Sequence, residues 1–323
     1  MRKNSATFMT SVSLMGAFLS LSLLSGCEAP LNMEAVDAAR ELPIHRTDRY
    51  QAVARNDANV VIVGNQGVIL YSSDKGTSWQ RNEIPDWPAL IDVAACPNGS
   101  FVALAFAPLV FVSSDNGATW VPRPIPTTES PQALTCSPDN KIWVVGAYTN
   151  RWTSSDAGES WVESTDDEDV LLTTVQFFDA DNGVITGEFG TVMFTTDGGN
   201  SWNTMAPLVD EFYPQTTYFK NSSEGWVAGL GGVILYTNDG GQTWVSQDTE
   251  TVVPLYGIAE IGRSMFAVGG EGTVLKYDGD LWRLFDHGKA IRLYIRAIAA
   301  LDDARAIIAG VRGTLHIIDA EGV

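Results

Sequence analysis

From about residue 40 onward the chain alternates short apolar runs with polar turns. The unit "LIDVAA" (Leu90–Ala95), "FVALAF" (Phe101–Phe106), "LVFVSS" (Leu109–Ser114) and "TWVPR" (Thr119–Arg123) shows the rule, with turn chemistry in "CPNGS" and "DNGA". Runs this short and this rich in β-branched residues, bounded by Gly, Pro, Asn and Asp, predict strands. No segment keeps a convincing 3.6-residue apolar period except Lys289–Ala300, and the register of the other units favours an inner strand there. The first 26 residues differ in kind. Arg2 and Lys3 precede an apolar run from about Val12 to Leu24, flanked like a signal peptide and short for a bilayer span.

The strand pattern repeats. "SSDKGTSW" (Ser72–Trp79) returns as "SSDNGATW", "SSDAGESW", "TTDGGNSW" and "TNDGGQTW", that is, [ST]-x-D-x-G-x-[ST]-W five times. A worn copy follows at "YDGDLW" (Tyr277–Trp282) and a truncated one at "IIDAEGV" (Ile317–Val323). The aspartates Asp74, Asp115, Asp156, Asp197, Asp239, Asp278 and Asp319 lie 41, 41, 41, 42, 39 and 41 residues apart. Four strands in about 41 residues make one blade of a propeller, and seven units predict an all-β, seven-bladed β-propeller of four-stranded blades. The last unit lacks a fourth strand. "RELPIHR" (Arg40–Arg46) is expected to supply it, so that an N-terminal strand closes the ring and leaves no open edge. The expected segments are a signal peptide over 1–26, a tether over 27–39 and the propeller over 40–323.

The repeated box reads as a turn. Its aspartate accepts backbone N–H bonds, its glycine permits positive φ, its hydroxyls tie the hairpin, and its tryptophan buries a face between sheets. A turn that recurs between the same two strands of every blade is structural rather than a ligand site, and it holds too few carboxylates for calcium.

"LSGC" (Leu24–Cys27) resembles a bacterial lipobox, which implies cleavage before Cys27 and lipidation of that residue. Export and anchoring to a bacterial membrane, facing the periplasm or a thylakoid lumen, follow as expectations. Removing residues 1–26 leaves 18 basic against 39 acidic residues, a net charge of −21. That surface repels phosphate backbones, so no nucleic acid is expected as partner. Cys96 and Cys136 follow the first strands of consecutive blades. Inner strands of different blades are expected to stand beyond bonding reach, so two buried thiols are expected, with a disulfide as the alternative.

Boxes at this period, seven units and a lipobox resemble the photosystem II stability/assembly factor family of Asp-box (BNR-repeat) propellers. A second match is the glycine-bracketed turn between strands two and three, as in "GNQG" (Gly64–Gly67), "GEFG", "GLGG", "GGEG" and "GVRG". The resemblance implies a non-enzymatic, monomeric scaffold that binds a membrane or envelope protein during assembly. Members are known for an arginine patch. Here the arginines form only a loose group of Arg283, Arg292, Arg296, Arg305 and Arg312.

Enzymatic chemistry is unmarked. The alternative readings are a sialidase-like hydrolase or a glycan-binding module, but the (F/Y)RIP signature is missing and "PRPIP" does not match it. His45, His287 and His316 stand alone in sequence, so no metal and no cofactor are expected. The acidic run Asp166–Asp169 reads as a solvated loop. Strand order puts all boxes on one face and the two–three turns on the other, and variable loops of a repeated scaffold are where partners bind. The partner-binding candidates there are Gln66, Phe106, Tyr148, Glu188, Phe189, Glu271 and Arg312, with Trp87 and Tyr213 in longer connectors.

Overall fold

The computed structural model describes residues 32–208 and 212–322. Cys27 and the signal segment lie outside the described residues. Residues up to Glu41 form a unit of their own, and Leu42–Val323 form a second. In the first, part of the expected tether is a short helix, Glu34–Arg40, exposed along its whole length. Its alanines, with Glu34 and Asp37 in the first turn and Arg40 in the last, favour a helix through propensity and the helix dipole, without an apolar face.

The second unit is the expected all-β propeller of seven blades. In blade 1 the strands Tyr50–Asn56, Asn59–Gly64, Val68–Ser72 and Gln80–Glu83 pair antiparallel in chain order. The inner strands of blades 2 to 7 are Leu90–Ala95, Pro131–Cys136, Leu172–Phe177, Pro214–Phe219, Leu255–Ile261 and Ile295–Ala300. Second strands such as Phe101–Ala105 and Ile142–Gly146 are buried at every residue, because each is covered by a neighbouring blade on both faces. The core is therefore seven layers, one between each pair of neighbours. Val61, Val63 and Ile69 meet Leu90, Phe101 and Phe111 between blades 1 and 2. Val60, Ile62 and Leu70 meet Leu301, Ile307 and Ala309 between blades 1 and 7, which closes the ring.

Closure differs from expectation in one respect. Among the described residues the last blade has three strands, Ile295–Ala300, Arg305–Gly310 and Leu315–Asp319, and Arg40–Arg46 is not a strand. The N-terminal segment still joins first blade to last, but as a bent latch. Arg49 bridges Val311, and the Gly313 amide donates to the Asp48 carbonyl at 2.9 Å. The buried Asp48 carboxylate accepts from the His45 amide, the Tyr50 hydroxyl and the Arg81 guanidinium, at 2.8, 2.9 and 2.9 Å. Pro43 fixes φ inside the segment, and Asp48 folds the chain back onto itself, which an extended outer strand could not do.

Each intact box is a closed hydrogen-bond ring. Asp74 accepts from the Ser78 amide at 2.8 Å, from the Ser78 hydroxyl at 2.6 Å and from the Ser72 hydroxyl at 2.7 Å, and the Gly76 amide donates to Ser72 at 2.8 Å. The same bonds recur around Asp115, Asp156, Asp197 and Asp239. Asp278 holds instead the amides of Asp280 and Leu281 and the Arg283 guanidinium, and Asp319 ends the last strand. The box glycine also serves the blade interface. Gly117 has φ of 90°, and a Cβ there would meet the Val61 side chain of the previous blade at 2.7 Å.

The structure joins Cys96 to Cys136 in a disulfide, with 5.0 Å between the Cα atoms, so the expectation of two thiols is corrected. Both cysteines lie at the far ends of neighbouring inner strands, which run side by side around the axis at disulfide spacing. Two other expectations also change. Asp166 is not simply solvated, because it pairs through two bonds of 2.8 and 3.0 Å with the buried Arg151. His287 and His316 are not isolated: His287 lines a small cavity with Lys289, both of these act electrostatically on His316, and both imidazoles are pushed below the usual histidine value, chiefly by burial.

Hydrogen bonds from Ser78 and Ser72 hold the Asp74 carboxyl at about 2, and similar bonds hold Asp156 and Asp197 at about 2. A depressed carboxyl gives stability that is present above the unfolded value and lost as pH falls through the folded one. Acid unfolding followed by circular dichroism should therefore run from about pH 4 down through pH 2, and Asp74→Ala should lower the melting temperature at neutral pH. An Asp74→Ala variant as stable as wild type would contradict a structural box. Alkylation should add two more groups after reduction than before. Closing a loop of 40 residues contributes about 4 kcal/mol in the chain-entropy account, so reduction should lower the denaturation midpoint.

Candidate functional site

All seven inner strands break register once near their start. The pairing jumps from Tyr50 to Ala52, from Leu90 to Asp92, and likewise in each later blade. The skipped residues are Gln51, Ile91, Gln132, Thr173, Gln215, Tyr256 and Arg296. A β-bulge leaves one residue out of the ladder and re-aims its side chain. All seven bulge residues line a single cavity of about 480 Å³, enclosed by the seven inner strands.

The bulge and the glycine-bracketed turn are one device. At Gly146, Gly229 and Gly310 an added Cβ would overlap the carbonyl oxygen of the residue before the inner strand, Ser130, Tyr213 and Tyr294 respectively. The amide after the glycine donates to that same carbonyl, as in Ala147 to Ser130 at 3.0 Å and Val311 to Tyr294 at 3.1 Å. This close approach pulls the incoming chain inward and forces the skipped residue. Blade 2 keeps the bond, Phe106 to Ala89 at 2.8 Å, with Ala105 in the glycine's place.

The same turns place the sequence-predicted candidates. Gln66, Tyr148, Phe189, Glu271 and Arg312 occupy equivalent left-handed positions, with φ of 60°, 56°, 57°, 56° and 57°. All five side chains are exposed. Phe106 and Glu188 each follow the second strand of their blade, and the Glu188 carboxylate accepts from the Leu171 amide at 3.2 Å. Non-glycine residues in this region are strained and are held there by their surroundings.

The face is divided in two. Trp87, Phe106, Tyr148, Phe189, Leu230 and Val252 expose apolar side chains from the end of blade 1 to the start of blade 6, with Trp87, Phe106 and Phe189 at 70%, 62% and 69% exposure. Gln66, Glu271 and Arg312 hold the rest of the circle, together with one exposed aromatic, Tyr294, before the inner strand of blade 7. The arginines do not assemble into a patch. Arg283 pairs with Asp278 and Glu250, and Arg305 pairs with Asp302 at the box end of its blade, away from Arg312.

Inside the mouth only two lining residues carry charge, Asp92 and Arg296. Asp92 accepts from the Val93 amide and, across the blade boundary, from the Leu134 amide, both at 2.8 Å. Burial pushes its carboxyl up to about 6 despite those bonds. The Arg296 guanidinium lies over the Tyr256 ring, 4.5 Å from its centroid, and burial draws it below the usual arginine value. Sequence inspection did not find this ring. Its signal was present, since the bulge residues recur 40 to 42 apart, but their types vary and only pairing register reveals the skip. Among the described residues no group of three or more His, Cys, Asp or Glu is placed to hold a metal ion.

Residues 165–257, spanning blades 4 and 5, match the family model of the photosynthesis system II assembly factor YCF48. No curated protein matches the chain. The fold is similar to that of YCF48 from Cyanidioschyzon merolae, at 16% identity and a TM-score of 0.71, covering 87% of this chain and 98% of that one. It is similar also to a YCF48 bound to a D1 peptide, at 15% identity and 0.69, covering 86% and 93%. A virginiamycin B lyase from Staphylococcus aureus matches at 12% identity and 0.75, covering 86% and 97%. At such identities these likenesses establish the fold, which serves binding and catalysis alike.

Asp92 gives the site a pH signature. A carboxyl raised to about 6 contributes stability that is complete below the unfolded value and lost as pH rises through the folded one. Denaturation midpoints should therefore fall between about pH 4 and pH 6 in the native protein, and Asp92→Asn should flatten that slope. An unchanged slope in the variant would place the titrating group elsewhere.

Proposed function

We propose that the chain is a photosystem II assembly factor-like propeller and acts as a non-enzymatic scaffold that captures a segment of a membrane or envelope protein on the face opposite the boxes. The apolar arc over blades 2 to 5 carries this reading. Monomeric soluble domains rarely leave a contiguous set of large apolar side chains exposed without use. Aromatic residues around a concave mouth are the side chains that dominate protein recognition. The strain at Tyr148 and Phe189 holds these rings outward before any partner arrives, which lowers the ordering cost of binding. A D1 peptide bound to YCF48 is a partner of this class on a related propeller.

Lipidation at Cys27 completes the proposal. A lipid anchor keeps the scaffold at the membrane where its client is made, and the strongly acidic body disfavours adsorption to anionic headgroups. The propeller acts as a monomer, exported and facing the periplasm or a lumen.

Photo-crosslinkers at position 189 and at Ser160, on the box face, separate the faces in the full-length, membrane-borne protein. Position 189 should cross-link to one membrane protein, and position 160 should not. Phe106→Ser, Tyr148→Ser and Phe189→Ser combined should weaken capture of that protein by on the order of 100-fold with little change in melting temperature. Equal labelling from both faces, or full capture by the triple variant, would remove the proposal.

A further inference from the structure

We infer that the bulge ring is a recognition site for a single carboxylate group carried by an otherwise neutral, hydrogen-bonding ligand. This goes beyond capture on the apolar arc, because it concerns the cavity inside that arc and a different chemistry.

The argument begins with Arg296. Among the described residues it donates no recorded hydrogen bond and joins no ion pair, and its Nε is buried without a partner. A guanidinium offers five donors in a planar fork matched to carboxylate oxygens. The group lies over the Tyr256 ring, and with Nε buried it is the two terminal nitrogens that remain open to whatever enters the cavity. Asp92 does not satisfy it. The two interact electrostatically, but no contact of ion-pair length joins them, and both Asp92 oxygens are already engaged by backbone amides. A desolvated cation with unused donors is costly to keep, so its presence at the one point where all seven blades converge calls for an anionic partner.

The remaining wall defines the ligand. Gln51, Gln132, Thr173 and Gln215 are bulge residues that present amides and a hydroxyl, which bond neutral polar groups. Phe106 and Tyr213 at the rim offer aromatic surface. One cation stands inside a body of net charge −19, so phosphate and other multiply charged anions are repelled more than a monocarboxylate. The cavity of about 480 Å³ lies in the size range of small-molecule sites. Two sources share the required chemistry, the free end of a peptide and an acidic sugar.

Titration calorimetry with two matched pairs tests both sources on the intact propeller. One pair is triglycine and triglycine amide, and the other is glucuronate and its methyl ester. In at least one pair the carboxylate should bind about tenfold or more tightly than its neutral counterpart, the effect of one charge-assisted hydrogen-bonded contact. Arg296→Met should abolish that difference, and Arg296→Lys should retain part of it. Asp92→Asn should enlarge it by removing the opposing charge. Melting curves of each variant separate loss of binding from loss of fold. No preference in either pair, or a preference that survives Arg296→Met in a folded protein, overturns the inference. Either result leaves capture by the aromatic arc unaffected, since its variants and its client are different.

Discussion

Everything in the propeller depends on burying both faces of every sheet. Second strands such as Phe101–Ala105 are apolar throughout, so a lone blade would expose two hydrophobic surfaces. A row of blades would still expose one at each end. Only a closed ring removes both ends, and the layer of Val60, Ile62 and Leu70 against Leu301, Ile307 and Ala309 performs that closure. The latch around Asp48 then secures the seam with charge-assisted bonds, where the other blades use a fourth strand.

The blade interface also dictates the local motifs. The box tryptophan packs where two sheets meet, as Trp120 does beside the layer between blades 1 and 2. At Gly117, Gly158, Gly199 and Gly241 the box glycine lies so close to the previous blade that any side chain would intrude. The hydrogen-bonded aspartate keeps that hairpin in shape at the edge of the interface. One short motif thereby fixes turn geometry and blade spacing together. Its recurrence on one face leaves the opposite face free to vary.

That opposite face gains its chemistry from a backbone event. A glycine at the end of strand two admits the carbonyl of the incoming chain, the inner strand bulges, and one side chain per blade turns into the central cavity. Seven blades give seven such positions, and the scaffold does not care which residue fills them. Glutamines, a threonine, an isoleucine, a tyrosine and an arginine do so here. The left-handed residues of the same turns form a second, outer circle. A single structural device therefore supplies an inner polar ring and an outer rim that is apolar on one side, and strand placement stays the same for both.

The sequence alone determined the repeat, the blade count, the structural role of the boxes and the face on which the loops vary, because each rests on short-range spacing that survives without coordinates. Gly76 and Asp74 announce their turn locally, and seven copies make the count secure. Tertiary structure decided what depends on approach between distant segments. It paired Cys96 with Cys136, brought His316 within electrostatic reach of His287, buried Arg151 against Asp166 and made the N-terminal segment a bent latch rather than a strand. It also produced the bulge ring, since a skipped residue is visible only as a register between two strands. Composition cannot show register, because pairing is a relation between backbones and the skipped positions share no residue type.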